Sequence, residues 1–213
     1  MRRLSDAVQR LLQSRVFYPA VFLGCLWPSL VLIRRTFQGD LGVNPVETLL
    51  HETGRTALTL LLGALTITPI RRLTGWNRVQ RVRRLIGVWS FAYAFMHFTI
   101  YVVFNHVGDL AAIWSDVSER PFIFMGMLAL VILTLLAITS TNGMIRRLGR
   151  RWQQLHRLAY VAACAGVVHF IWGQKADIRE PLWWAAFLAI LLGLRVVFAW
   201  RKRRSRAVPV VSH

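Results

Sequence analysis

The sequence lacks most of the features that mark a soluble domain. It has 9 acidic residues against 27 Lys and Arg, and no polar stretch is long enough for a soluble domain of ordinary size. Its two cysteines, Cys25 and Cys164, fall in apolar stretches, so we expect neither a disulfide framework nor a zinc site. No G-x-G-x-x-G motif occurs, so a dinucleotide-binding domain is not predicted.

Long apolar stretches dominate instead, and 55% of the residues are hydrophobic. Six stretches come close to the roughly 17–25 residues that a helix needs to cross a bilayer. We therefore predict an all-α, polytopic membrane protein, a bundle of six transmembrane helices forming a single domain over residues 1–213. No internal repeat is visible. The predicted spans are 16–33, 54–70, 85–104, 122–139, 156–172 and 182–200.

The charges alternate between the segments that connect these spans. Basic residues concentrate in 1–15, 71–84, 146–157 and 201–206, whereas every acidic residue except Asp6 falls in the other segments. The positive-inside rule then predicts that both termini are cytoplasmic. Because the basic residues are divided among four segments, the lipid bilayer is the expected partner and nucleic acid is not.

Two histidines, His97 and His169, lie in the middle of apolar spans, where a titratable ring needs a partner. Spans three and five run in the same direction, and both rings lie roughly 18–20 Å from the inner surface at about 1.5 Å per residue. Two imidazoles at one depth predict a bis-histidine heme, which transfers electrons and has no open position for other chemistry. The alternative is that each histidine hydrogen-bonds to a neighbouring helix.

Small residues surround His169 at helical spacing: Ala162, Ala165, Gly166 and Gly173. A flat macrocycle needs small neighbours beside its ligand. Close helix packing in the membrane is the alternative explanation.

Three further residues are weaker candidates. His156, about 20 Å from His169 along the helix axis, suggests a second heme near the inner face. However, the matching position on span three is Arg84, and an interfacial histidine is an equal alternative. His51 and Arg55 would share one face if their helix begins early, and they could then bind heme propionates or a quinol headgroup. Arg195, inside the last span, can snorkel towards the inner surface, and we assign it no role.

The sequence also resembles a known family through three motifs in fixed order. They are the Pro-Val-Glu…His-x-Thr-Gly segment at 45–54, the Thr-Ser-Thr-Asn-Gly turn at 139–143, and the Arg-Leu-Gly-Arg-Arg-Trp…Leu-His-Arg-Leu run at 147–158. Over about residues 16–200 the chain is similar to the MsrQ family, also called YedZ. This family provides the heme-binding membrane subunit of the protein-methionine-sulfoxide reductase system and belongs to the ferric-reductase-like transmembrane superfamily.

The resemblance implies heme b, one or two per chain, ligated by His97 and His169, with His156 also implicated. It implies bound FMN and electrons drawn from membrane quinol in the bacterial inner membrane. It also implies a periplasmic molybdopterin-containing catalytic partner, with which the chain forms a heterodimer that repairs oxidised periplasmic proteins. The chain itself would be a non-catalytic electron-transfer subunit.

Two alternatives remain open from the sequence. One is a ferric or oxygen reductase-like cytochrome of the same superfamily. The other is a proton-coupled transporter, although no Asp or Glu lies at mid-depth in any predicted span, where proton relays usually need one.

Overall fold

The computed structural model describes residues 15–174 and 177–207, without the side chains of residues 202, 203 and 205–207. Arg2, Arg3, Asp6, Arg10, Lys175 and His213 lie outside the described residues. Nine α-helices follow in the described chain: α1 Phe17–Phe37, α2 Pro45–Thr74, α3 Gln80–Ile100, α4 Leu110–Glu119, α5 Pro121–Ile138, α6 Asn142–Leu148, α7 Arg150–Leu155, α8 Leu158–Gly173 and α9 Arg179–Ala207. A 3₁₀ turn, Asn77–Val79, precedes α3, and a π-helical turn, Tyr101–Asn105, extends it.

Within the described residues, six stretches of helix are long and apolar enough to cross a membrane, and they coincide with the six predicted spans. They are α1, α2, α3 with its flanking turns, α5, the segment Arg150–Gly173 that contains α7 and α8, and α9. The prediction of an all-α bundle of six transmembrane helices is therefore confirmed.

Helix α2 begins nine residues before the predicted span, at Pro45 rather than at residue 54. Asn44 caps it by accepting a hydrogen bond from the backbone N–H of Glu47, and proline is favoured at the first helical position. The polar residues of the first turns lower the hydropathy of this segment, which is why the predicted loop was too long. The helix ends at Gly75, whose φ of 74° lies in the left-handed region that glycine adopts without strain.

Two antiparallel helix pairs, α2 with α3 and α5 with α8, form the centre of the bundle. Leucines of α2 (Leu58, Leu61, Leu62 and Leu65) pack against α5, α8 and α9 in one buried cluster. Small residues on α8, Ala162 and Ala163, are fully buried there and allow the helices to approach closely. Helix α1 lies at the edge of the bundle against α3.

The two ends of the bundle differ in charge. All the described carboxylates lie at the end where α2, α5 and α9 begin, which we call the acidic end. The opposite end, the basic end, carries the arginines of the α2–α3 connection, of α6 and α7, and of the last turns of α9. The alternation of charge along the sequence thus becomes an asymmetry between the two ends of the bundle.

Candidate cofactor site

His97 on α3 and His169 on α8 face each other inside the bundle. Their ring centres are 6.1 Å apart, and the ring planes are nearly perpendicular, at 86°. An imidazole nitrogen binds a transition metal at about 2 Å, so two imidazoles on opposite sides of one metal ion have ring centres about 6 Å apart. The observed separation therefore suits a shared metal between the rings.

Each ring is held by a backbone carbonyl from the neighbouring helix. Nδ1 of His97 donates to the carbonyl oxygen of Leu50 at 2.9 Å, and Nδ1 of His169 donates to that of Phe122 at 2.7 Å. A carbonyl accepts but does not donate, so the proton is assigned to Nδ1 in both rings. The other nitrogen, Nε2, then keeps the lone pair that a metal requires, which is the usual second-shell arrangement of a ligating histidine.

A glycine lies beneath each ring. A β-carbon on Gly54 would come within 3.1 Å of Nδ1 of His97, and one on Gly126 would come within 2.8 Å of Nδ1 of His169. Each glycine follows the residue with the accepting carbonyl by one helical turn. Any larger residue at these positions would push the imidazole away from its carbonyl.

The two halves of the site are built alike, although the sequence shows no repeat. In both, the accepting carbonyl precedes its histidine by 47 residues, and both pairs of helices, α2–α3 and α5–α8, are antiparallel hairpins. Two similar hairpins facing each other place the two rings at the same depth from opposite sides. This arrangement explains why the depths of His97 and His169 match.

Both histidines line one cavity of about 500 Å³, within the range of roughly 300–1,000 Å³ that is usual for small-molecule sites. Its deep walls are apolar and include Leu58, Leu61, Met127, Leu130, Leu133 and Phe170. Three of the four small residues that the sequence analysis placed beside His169 line it as well, namely Ala162, Gly166 and Gly173; Ala165 does not. An apolar cavity with one polar end suits a flat amphipathic ligand.

The polar end of the cavity carries a hydrogen-bonded network around Asp116 on α4. Its carboxylate accepts from the Tyr101 hydroxyl at 2.9 Å and lies 3.0 Å from Nε2 of His106 and 3.1 Å from Nε of Arg120. All four residues line the cavity. They sit beside the π-helical turn at Tyr101–Asn105, and such turns are frequent at functional sites.

His51 and Arg55 also line the cavity, on the α2 side of its polar end. Because α2 begins at Pro45, they lie one turn apart on the same helical face, as expected for an early start. Arg55 makes a 2.6 Å ion pair with Glu180 of α9, whereas His51 is 3.9 Å from Glu47. Together with Arg120 they place positive or neutral donors where an anionic edge of a ligand would lie.

His156 lies apart from this cavity, in the break between α7 and α8. Its ring stacks on Trp152 with 3.9 Å between ring centres, and its Nε2 is 3.4 Å from the Ser140 hydroxyl. The predicted span 156–172 therefore contains a helix that begins only at Leu158. Arg84, the matching position on α3, donates to Asn142 at 2.5 Å instead of facing His156.

Sequence reasoning missed several residues of the site. The carbonyls of Leu50 and Phe122 belong to apolar residues whose side chains carry no chemical signal. Gly54 and Gly126 were not singled out, yet each lies at the same spacing before its histidine, and this regularity could have revealed them. The network around Asp116 was missed because α4 fell in a predicted loop.

Residues 53–167 match the family described as Ferric reductase like transmembrane component, a segment that includes His97 and the glycines beneath both rings. Similar proteins extend the match over most of the chain. The protein-methionine-sulfoxide reductase heme-binding subunit MsrQ of Rhodospirillum rubrum is 45% identical over 89% of this chain and 92% of its own length.

The chain belongs to the MsrQ family.

Two further MsrQ relatives agree with this assignment. The heme-binding subunit of Herminiimonas arsenicoxydans is 45% identical over 86% of this chain and 85% of its own length. That of Caulobacter vibrioides is 40% identical over 91% of both chains. No solved structure matches the chain. As an MsrQ-family protein with six apolar helices, the chain is a multi-pass membrane protein.

Proposed function

We propose that this chain binds heme b between His97 and His169 and transfers electrons through the membrane to a methionine sulfoxide reductase. The observation that carries the proposal is the pair of imidazole rings 6.1 Å apart in one cavity, each with Nδ1 bonded to a backbone carbonyl. The names of the relatives support it, since each is called a heme-binding subunit of that reductase.

The residues fit a heme better than a bare metal ion. Among the described residues no group of three or more His, Cys, Asp or Glu side chains is placed to hold a metal. Two imidazoles therefore need a ligand that brings its own metal-binding atoms, and a porphyrin supplies four nitrogens. Held by His97 and His169, a heme would supply one-electron transfer.

The protein's own groups would orient the heme in the cavity. The apolar walls would bury the macrocycle, and the polar end would take its propionates, with Arg55 and His51 on one side and Arg120 on the other. Burial and the two backbone-anchored imidazoles would set the reduction potential. We assign the chemistry at sulfur to the partner.

The charge asymmetry supports an orientation with the basic end, and hence both termini, in the cytoplasm of a bacterial inner membrane. The acidic end, with the polar end of the cavity, would then face the periplasm. We propose that a periplasmic molybdopterin-containing catalytic subunit docks there and accepts electrons that enter from membrane quinol.

The proposal also includes FMN and a second heme, for which His156 is the candidate ligand. To bind iron, His156 would have to turn from Trp152 and Ser140, and the opposite ligand would not be one of the other described histidines, which lie towards the acidic end. Counting heme and flavin per polypeptide tests both additions.

The decisive experiment is an absorption and electron paramagnetic resonance study of the purified chain. We expect His97→Ala and His169→Ala each to abolish the low-spin bis-imidazole signal, while His106→Ala, which removes a histidine of the polar end, keeps it. A His97→Gly variant with added imidazole should recover the signal, which separates ligand loss from misfolding. A full complement of normally ligated heme in either alanine variant would refute the pairing.

A second measurement tests the direction of electron transfer. In proteoliposomes, a quinol should reduce the heme, and the purified catalytic subunit with a methionine sulfoxide substrate should reoxidise it. Heme that quinol reduces but that the partner cannot reoxidise would favour a ferric or oxygen reductase. A purified chain that is folded but has no Soret band would favour the transporter.

A further inference from the structure

Four buried polar atoms in the described chain have no hydrogen-bond partner, and all four belong to the basic half of the bundle. They are Oγ1 of Thr68, Oε1 of Gln80, Nδ1 of His156 and Nε of Arg195. Buried polar groups are nearly always satisfied in folded proteins, so each exception requires an explanation. A cluster of exceptions at one end of a bundle suggests a ligand that satisfies them.

Arg195 is the most informative member of this cluster. A side chain at this depth can snorkel to the surface, but that of Arg195 turns towards α2 and α8. Its Nη2 donates to the carbonyl oxygen of Leu65 at 3.1 Å, and its guanidinium lies 4.3 Å from the centre of the Tyr160 ring. A charged side chain that points inward within a membrane span is a functional candidate by default.

Arg195 has other cations for neighbours. The guanidinium of Arg72 lies 5.2 Å from the ring centre of Phe198, which follows Arg195 by about one turn of α9. The charges of Arg72 and Arg83 repel that of Arg195, and the charge of Arg83 also acts on His156. No carboxylate in the described part of the chain forms an ion pair with Arg72, Arg83 or Arg195, because all of them lie at the acidic end. Arg83 and Arg195 are partly buried, where an unpaired charge is unfavourable, whereas Arg72 is exposed. An anion would offset that repulsion.

We propose that Arg195, Arg83 and Arg72 bind the phosphate group of a small molecule at the basic end of the bundle. A phosphate dianion carries enough charge and enough acceptor oxygens for several guanidinium groups, which bind it in bidentate geometry. Thr68 and Gln80 would contact the remainder of the ligand. None of these residues lines the cavity of His97 and His169, so this site is separate from the heme site.

Two phosphates could occupy such a site, that of FMN and that of an anionic phospholipid of the inner leaflet. Only the FMN source rests on the proposed function, in which flavin is a cofactor. The experiment therefore measures both ligands in the same preparations and uses the heme spectrum as a separate check of the fold.

The test compares Arg195→Gln and Arg83→Gln with Arg147→Gln, which removes an exposed arginine of the same end. Full-length variants are purified, and bound FMN and phospholipid are measured per polypeptide; FMN and riboflavin are then titrated into flavin-free protein. We expect the two cluster variants to weaken FMN binding by about tenfold or more, since each removes a charge-assisted bond, while Arg147→Gln has no effect. Riboflavin, which lacks the phosphate, should bind weakly to every variant.

Loss of bound anionic phospholipid from the cluster variants, with FMN unchanged, would identify the lipid as the source of the phosphate and would still support the site. The proposal is overturned if variants with a normal heme spectrum keep both FMN and phospholipid. Riboflavin that binds as tightly as FMN excludes FMN as the source of the phosphate, and the phospholipid measurement alone then decides. Should Arg195→Gln fail to fold, Arg72→Gln provides the same comparison from another helix.

Discussion

Gly126 of α5 lies directly against the ring of His169 of α8, so closely that a β-carbon at position 126 would stand 2.8 Å from Nδ1. No real β-carbon approaches a ring atom at that distance, so either the helices or the imidazole would have to move. The hydrogen bond from His169 to Phe122, one turn before the glycine, depends on the same close approach. The absence of a side chain at residue 126 therefore orients a ring on another helix.

Replacing Gly126 with alanine should displace His169 and reduce heme binding. Overpacking a close contact is unfavourable by roughly 1–3 kcal/mol, which corresponds to a loss of heme affinity of about 5- to 150-fold. Gly54→Ala, with a clearance of 3.1 Å from His97, should cause a smaller loss. Heme per polypeptide and the low-spin signal measure both effects.

The matched control is Gly63→Ala. Gly63 lies on the same helix as Gly54, but a β-carbon there would have no atom of a neighbouring residue within 4 Å. Alanine favours helix, so this variant should bind heme normally and be slightly more stable. Equal heme content in the alanine variants of Gly126 and Gly63 would show that the glycine contact does not position His169.

Arg55→Gln and Glu180→Gln separate two roles of Arg55: the ion pair with Glu180 and the binding of a heme propionate. The side chains of this ion pair are 44% exposed for Arg55 and 40% exposed for Glu180. Neutralising either residue should therefore lower the free energy of unfolding by less than about 1 kcal/mol. If Arg55 also lies near the heme, removing its positive charge should lower the heme midpoint potential, because a cation favours the reduced form. Removing the Glu180 charge should leave the potential unchanged or raise it.

Redox titration of both purified variants measures these shifts, and thermal unfolding measures stability. Identical potentials in the two variants would assign Arg55 a purely structural role and remove it from the propionate site.

Tyr93→Phe should loosen α1 from the bundle. The Tyr93 hydroxyl donates to the carbonyl oxygen of Cys25 at 2.8 Å and accepts from the backbone N–H of Ser29 at 2.9 Å, so it is inserted into the α1 hydrogen-bond ladder beside Pro28. Without the hydroxyl, the carbonyl of Cys25 and the N–H of Ser29 lose their partner and must re-form a hydrogen bond within the helix. We expect a loss of about 1–3 kcal/mol in the free energy of unfolding, with the heme spectrum unchanged.

Tyr18→Phe is the control, since Tyr18 lies on the same helix with 48% of its surface exposed. Unfolding in detergent, followed by tryptophan fluorescence, gives the comparison. Equal stability of the two variants would mean that the inserted hydroxyl does not hold α1 in place.

Several features of the fold were predictable from local pattern alone. The six spans follow from apolar length, and the start of α2 was in fact encoded by Asn44 and Pro45, which a hydropathy window does not weigh. Helix α4 was missed although Asp109 caps it by accepting from the N–H groups of Ala111 and Ala112. In both cases the signal was a side chain at a helix start, and such signals are weaker than hydropathy in a membrane protein.

The depth of His97 and His169 was determined by the sequence, because a helix advances by a constant distance per residue and the apolar spans set its origin. The charge of each end of the bundle was likewise determined by the sequence, because basic and acidic residues alternate between the segments that connect the spans. The direction in which each ring points, the carbonyls of Leu50 and Phe122 that orient them, and the inward turn of Arg195 were decided only by tertiary structure. Rotation about a helix axis depends on which side chains of other helices fill the space beside it, and no local pattern in one helix contains that information.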